Sequence, residues 1–362
     1  MPTSPMKNLV YRAALPFLAP RGQADVKSLG LSDVEGYQRI LRRHHVMGSS
    51  LLLVDGQRQA AAWVGCGPET LFRVASITKM ATALVVLRLC GEGLLALDQP
   101  VAELLPEAHP ALEGVTVRHL LCHTSGLRDG SDGVLLRGGT YPEALRRGSE
   151  PGEAMVYCNL GFGLLGCLIE YVTGQGVDQV FQERLFGPLG MRATLDGSSL
   201  DEEQVMSITR VLPYRAGQAI KVTELGRRPL GGPDPLRHFG HTAGAMYTDA
   251  ASLSKLLRAV EPGNFLPMPL LKEMRARQAA TPTRVYGLGL VLLDRPELSP
   301  RRLLGHQGFA YGCVDGAFVE EGTGRQVIFL NGGASEARAG RLGLVNRDVL
   351  RWALNEEMPS WT

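Results

Sequence analysis

Apolar residues along this chain follow two periods, and the change from one to the other outlines the fold. Val34, Tyr37, Ile40 and Leu41 recur at helical spacing opposite Arg39, Arg42 and Arg43, so residues 21–47 read as an amphipathic helix capped by Ser32-Asp33. His44 and His45 fall at its end, where solvated positions are expected, and no third metal ligand lies at suitable spacing. Ser49 to Val54, then Asp55-Gly56, then Gln59 to Gly65 give a hairpin pattern. Phe72 to Met80 reads as a strand entering a helix. The apolar run from Ala81 to Cys90, closed by Gly91 and Gly93, is too long for a buried strand and suits a buried helix.

Between 93 and 240 helical patches alternate with Gly and Pro turns. Helices are expected from Asp98, from Thr116, over Leu160–Val172 and over Val177–Leu185; Gly161, Gly163 and Gly166 allow close packing in the third. A hairpin is expected at 208–214 and 219–223, followed by a Gly/Pro-rich loop over 227–235. After a helix over Asp249–Val260, strand patterns return at 285–292, 303–308, 313–319 and 326–331, and an amphipathic helix closes at Leu344–Leu354. Strands at both ends with helices between predict an α/β (α+β) protein. Its antiparallel sheet is built from residues 1–75 and 245–362, with flanking helices. Residues 76–244 form a mostly helical insertion, and the Ser76 helix lies at the interface.

Composition narrows the class. Hydrophobic residues make up 44% of the 362 and charged residues 20%, which suits a large core. The net charge of +2 comes from well-mixed side chains, so neither a nucleic-acid stripe nor a basic membrane face is expected. No apolar run reaches transmembrane length. Ala13 to Ala19 is short and broken by Pro16, a poor signal-peptide core, so the expectation is a cytoplasmic protein. Cys66, Cys90, Cys122, Cys158, Cys167 and Cys313 would then be reduced thiols.

Candidate chemistry begins at Ser76. On a helix, Lys79 lies on the same face one turn later. A hydroxyl is a weak nucleophile, and a desolvated amine one turn away can take its proton, while the helix N-terminus favours negative charge. The tetrad alone is a common chance pattern. Its plain reading is a helix cap with an exposed lysine. Three further segments follow: Leu121-Cys122-His123-Thr124-Ser125-Gly126-Leu127, Tyr157-Cys158-Asn159 and His306-Gln307-Gly308. Singly these also read plainly, as a turn, a half-buried tyrosine, a packing cysteine, a helix-capping asparagine and a structural histidine.

In this order and with these flanks, roughly residues 35–355 resemble the serine β-lactamase-like, penicillin-recognising family. The branch is that of class C β-lactamases, D-amino-acid peptidases, esterases and acyltransferases. The resemblance implies a β-lactamase/transpeptidase-like fold and a covalent acyl-enzyme on Ser76. Lys79 would deprotonate Ser76 or hold the proton relay, and Tyr157, its phenol pKa lowered by Lys79, would be the partner base and pass the proton to the leaving group. Asn159 would bind an acyl-side amide and orient Lys79. His306, Gln307, Gly308 and Phe309 would line the substrate, with the N–H groups of Ser76 and Phe309 as oxyanion donors. No metal or cofactor is implied, and the partner is a small ester, amide or peptide.

Many β-lactamases carry Lys-Thr-Gly where this chain has His306-Gln307-Gly308. A neutral histidine and a glutamine hold a substrate carboxylate less well, so weak or no β-lactamase activity is expected. Acyl transfer on the same site and ligand binding without catalysis are the alternatives. Neither a Gly-x-Ser-x-Gly elbow nor His-Glu-x-x-His occurs, which disfavours α/β-hydrolase and zinc chemistry.

Overall fold

Leu51 and Leu53 point to one face of the first hairpin and Leu52 and Val54 to the other, and all four are buried. A strand apolar on both faces belongs between two layers. The computed structural model places it there. It describes residues 26–354 except 45, 47, 106, 108, 131–138, 202, 206–228, 264, 311–312 and 333–341.

The strands are β1 (Lys27–Leu29), β2 (Gly48–Asp55), β3 (Arg58–Val64), β7 (Ala279–Thr281), β8 (Arg284–Tyr286), β9 (Val291–Leu293), β10 (Leu303–Ala310), β11 (Cys313–Glu320) and β12 (Gln326–Gly332). They form one antiparallel sheet in the order β1-β3-β2-β12-β11-β10-β9-β8-β7. The two ends of the chain meet where β2 pairs with β12, Leu52 opposite Ile328. Helices α1 (Val34–Arg43) and α9 (Leu344–Leu354) cover one face, packing Tyr37, Leu41, Val345 and Val349 on Leu51, Leu53 and Phe329. Trp352 Nε1–H donates to Asp33 Oδ2 at 2.8 Å, tying α9 to the cap of α1. The other face carries α2 (Thr78–Gly91) and α7 (Ala250–Ala259), and α8 (Met268–Arg275) buries Leu271 and Met274 in the same core. Every residue of α2 from Thr78 to Leu87 is buried, so it has no polar stripe and lies inside the protein.

A second, small sheet marks where the helical region departs. β4 (Phe72–Arg73) and β5 (Ala193–Thr194) both pair with β6 (Tyr247–Thr248). The chain therefore leaves at Arg73 and returns at Tyr247 side by side. Between them lie α3 (Val117–Leu121), α4 (Asn159–Thr173), α5 (Val177–Phe181) and α6 (His241–Gly244). A Cβ at Gly163 of α4 would lie 1.5 Å from Phe239 O, and one at Gly166 would lie 2.7 Å from Thr242 Oγ1. Gly161 meets only ordinary contact, so two of the three expected packing glycines are needed. No described helix is long and apolar enough by itself to cross a membrane.

Several elements depart from the pattern-based expectation. The first helix is confined to Val34–Arg43, because residues 27–29 instead pair with Ala61–Trp63 at the sheet edge. His44 is not solvated: its Nε2 lies 2.8 Å from Asp348 Oδ2. His45 and the hairpin expected at 208–214 and 219–223 lie outside the described residues, as do positions 227 and 228 of the following loop. The expected strand over 285–292 is two strands, β8 and β9, broken at Gly287–Gly289. Gly289 has φ +66°, and a Cβ there would lie 2.4 Å from Ala83 Cβ and 2.9 Å from Lys79 O. Left-handed backbone and contact with the Lys79 helix both require glycine. Gly289→Ala is expected to lower stability by roughly 2–4 kcal/mol. Urea unfolding checks this, and a midpoint equal to wild type would contradict it.

Candidate active site

Ser76 sits in a tight turn, Ala75–Ile77, that leads into α2. Ala75 has φ +45°, a strained conformation for a residue with a Cβ, beside the residue that must be presented. β10 runs against this turn. A Cβ at Gly308 would lie 2.3 Å from Val74 O, so only glycine lets the strand come this close. The pairing of β10 with β9 covers Leu303–Gly305, while that with β11 continues to Ala310. Past Gly305, β10 therefore carries strand backbone beside Ser76 without β9 alongside.

Lys79, one turn into α2, is fully buried. Its Nζ lies 3.1 Å from Ser76 Oγ, 2.8 Å from Asn159 Oδ1 and 2.6 Å from Ala243 O. Burial pushes its pKa down to about 7, against the smaller opposing pull of Asp129 and then Cys158. Much of Lys79 is therefore neutral near pH 7. A neutral amine has two N–H groups and one lone pair. Asn159 Oδ1 and Ala243 O accept the two N–H groups, which leaves the lone pair for Ser76 Oγ.

Tyr157 O–H donates to Ser76 Oγ at 2.7 Å. The expected lowering of this phenol by Lys79 is not found. Burial raises its pKa well above the ordinary value, reinforced by Tyr286 and only partly opposed by Ser76 and Arg284. Lys79 Nζ lies over the ring instead, 4.9 Å from its centroid. Tyr157 is therefore protonated at neutral pH, and Lys79 is the group able to accept a proton.

His123 holds Tyr157 from behind. Its ring centroid lies 4.4 Å from that of Tyr157, its carbonyl accepts from Val156 N–H at 2.9 Å, and its Nδ1 accepts from Cys158 N–H at 3.3 Å. Its φ is +62°, so a strained backbone turn presents His123 to Tyr157. Cys158 is buried, its Sγ–H donates to Asp129 Oδ1 at 3.3 Å, and burial raises its pKa, which makes it an inert packing thiol.

The structure brings Ser76, Lys79, Tyr157 and Asn159 together and puts the strand residues in different roles. His306 is buried, and its Nδ1–H donates to Gln307 O at 2.7 Å. Burial, with Lys79 next in effect, takes its pKa down to about 3. Its side chain, expected to line the substrate, thus offers an anion neither charge nor an accessible N–H. Gln307 turns to the other side, where its Oε1 accepts from Gly343 N–H at 3.1 Å. The Phe309 ring packs with the α1/α9 layer, so Phe309 faces the cleft only through its backbone.

A family model described as Beta-lactamase matches residues 22–344. The chain belongs to the beta-lactamase family. Among curated relatives of this beta-lactamase-family protein, esterase EstB of Burkholderia gladioli is 33% identical, with 78% of this chain and 82% of that protein covered. Penicillin-binding protein 4 of Amycolatopsis lactamdurans is 29% identical, with 62% of each covered. Among solved structures, a D-amino acid amidase of Ochrobactrum anthropi SV3 superposes with TM-score 0.68 at 26% identity, covering 87% of this chain and 98% of that one. A D-stereospecific amidohydrolase of Streptomyces sp. gives TM-score 0.67 at 26% identity, covering 89% and 98%. These kinships make this beta-lactamase-family protein a serine hydrolase.

Three residues at the site carry no sequence motif. Asp129 accepts from Asn159 Nδ2–H at 2.8 Å and from Leu160 N–H at 2.9 Å. Arg284 Cζ lies 5.7 Å from the Tyr157 ring centroid, and the Tyr286 ring lies 5.2 Å from that of His123. Asp129 follows the His123–Leu127 segment by two residues, which is the one signal that marks it in the sequence.

Proposed function

We propose that this protein hydrolyses small esters and D-amino-acid-type amides through an acyl-enzyme on Ser76, with slow turnover of β-lactams. The observation that carries this is the fully buried Lys79 within hydrogen-bonding distance of a serine hydroxyl. The neutral Lys79 amine takes the Ser76 proton as Oγ attacks the carbonyl carbon. The oxyanion is received by the N–H groups of Ser76 and Phe309, the latter on the part of β10 that lies past Gly305. The protonated Tyr157 hydroxyl hands its proton to the leaving group, and the Lys79 ammonium replaces it. Water then attacks the acyl carbon, giving its proton to the regenerated neutral Lys79, and the Ser76 Oγ–acyl bond breaks as Lys79 returns that proton to Oγ. Asn159, exposed at the start of α4, meets the acyl-side amide. A buried, neutral His306 supports the expectation of poor carboxylate binding at the Lys-Thr-Gly position. A reducing cytoplasm suits six cysteines that form no disulfide.

The test is intact-protein mass after brief exposure to a p-nitrophenyl ester, D-phenylalanine amide and a penicillin, with turnover followed in parallel. An acyl adduct at Ser76 with ester or amide turnover exceeding penicillin turnover is expected. No adduct with any of the three would overturn the assignment, and rapid penicillin hydrolysis would overturn the substrate preference.

A pH profile follows from Lys79. Below its pKa of about 7 the amine is an ammonium and its lone pair is gone. The kcat/KM for p-nitrophenyl butyrate is therefore expected to rise with pH, with an apparent pKa near 7, and to fall about tenfold per unit on the acid side. A flat profile between about pH 5 and 8 would remove Lys79 from the base role.

A further inference from the structure

Lys79 can serve Ser76 only if its lone pair points there, and that depends on which end of the Asn159 amide faces it. The groups around Lys79 Nζ are the Ser76 hydroxyl, Ala243 O of α6, Asn159 and Cys158 at the start of α4, and the rings of Tyr157, Phe162, His123 and His306. Asp129 is the one carboxylate that acts on Lys79 in this set. The two histidines are neutral, since burial lowers the pKa of both. Among the three groups within hydrogen-bonding distance of the amine, Ala243 O can only accept, Ser76 O–H is the proton to be taken, and Asn159 presents either a donor or an acceptor according to which way its amide faces.

We propose that Asp129 is a positioning residue: by accepting Asn159 Nδ2–H and Leu160 N–H together, it fixes Asn159 Oδ1 toward Lys79 and so aims the Lys79 lone pair at Ser76. An ionised carboxylate only accepts hydrogen bonds. At 2.8 Å from Asp129 Oδ2 the Asn159 side chain must therefore present its NH2, and its oxygen is left for Lys79 Nζ, also at 2.8 Å. The other oxygen, Oδ1, takes Leu160 N–H at 2.9 Å, one of the donors left over at the start of α4. Both carboxylate oxygens are thus engaged. Were the Asn159 amide reversed, its N–H would point at the Lys79 lone pair and compete with the Ser76 proton.

The inference rests on the acyl-enzyme reading and adds a residue to it. A helix cap alone is a role that asparagine performs as well as aspartate. Asp129→Asn therefore separates the two roles. Its single side-chain oxygen can cap Leu160, but its NH2 then faces the NH2 of Asn159, and the Asn159 amide turns round. With p-nitrophenyl butyrate, kcat is expected to fall roughly 10- to 100-fold while KM changes little and thermal stability is kept. Loss of a negative neighbour also lowers the Lys79 pKa, so the acid limb of kcat/KM moves to lower pH. The chain has six lysines. NMR of the protein labelled with 13C at the lysine ε-carbon reads the Lys79 titration directly, without turnover. The same downward movement is expected there.

Asp129→Asn with kcat within threefold of wild type would reduce Asp129 to a cap and overturn the proposal. If the wild-type protein neither turns over the ester nor forms an adduct at Ser76, the hydrolase reading has failed, and the NMR titration still decides. An unmoved Lys79 in Asp129→Asn then overturns the role given to Asp129, and a lowered one supports it.

Discussion

Ser76→Ala is expected to lower ester and amide turnover by roughly 10⁶-fold, to the residual rate that oxyanion donors and binding alone provide. It is also expected to leave no adduct in intact-mass measurements. The loss should be this complete because, among the described residues, no nearby hydroxyl can take over. Thr78, two residues on, is buried, donates to Ala75 O at 2.6 Å and accepts from Met246 N–H at 3.1 Å. The Tyr157 hydroxyl is held protonated by burial, and its O–H points at the position of Ser76 Oγ. Little stability should be lost, since Ser76 is only half-buried and water can meet the groups left behind. An adduct persisting in Ser76→Ala would place the nucleophile elsewhere and end the present account.

The parts of this site that could be read from the sequence are those written in local order. Ser76 and Lys79 stand one helical turn apart, and the run from Ala81 to Cys90 is apolar on every side because α2 has protein all round it. The sheet was legible for the same reason: strands such as β2 and β12 are apolar on both faces and bounded by turns. What was not legible depends on partners far away along the chain. β1 is three residues long, and its strand character comes from pairing with Ala61–Trp63. The break at Gly289 is set by Ala83 and the Lys79 carbonyl, about two hundred residues earlier. His306 looked like a substrate contact by position, but the β10 face it occupies turns inward, and burial decides its charge. Tyr157 was expected to be lowered by Lys79. Yet a lysine that titrates near 7 carries no charge at the higher pH where a phenol ionises, so it stabilises a phenolate little, and desolvation wins. Asp129 binds through hydrogen bonds to Asn159 and Leu160, thirty residues on, and no spacing rule connects them.

Lys79→Met is expected to cost turnover and gain stability together. Loss of the base should lower kcat/KM by about 10²–10⁴-fold. The stability effect has the opposite sign. In the unfolded chain the amine titrates at its ordinary 10.5, and in the folded protein at about 7. Between these values the unfolded state binds a proton that the folded state does not, so wild-type stability rises with pH across that window. At pH 7 keeping the amine inside therefore costs roughly 4–5 kcal/mol. Methionine removes that cost and fills similar space. It leaves Asn159 Oδ1 and Ala243 O without their donor, which takes back about 1–3 kcal/mol. Lys79→Met should then be more stable than wild type by about 2 kcal/mol at pH 7, with the advantage shrinking as the pH approaches 10. Urea midpoints at the two pH values check this. A variant less stable than wild type at pH 7 would mean that Lys79 is held as an ammonium by its three oxygen neighbours, and the base would have to be sought elsewhere.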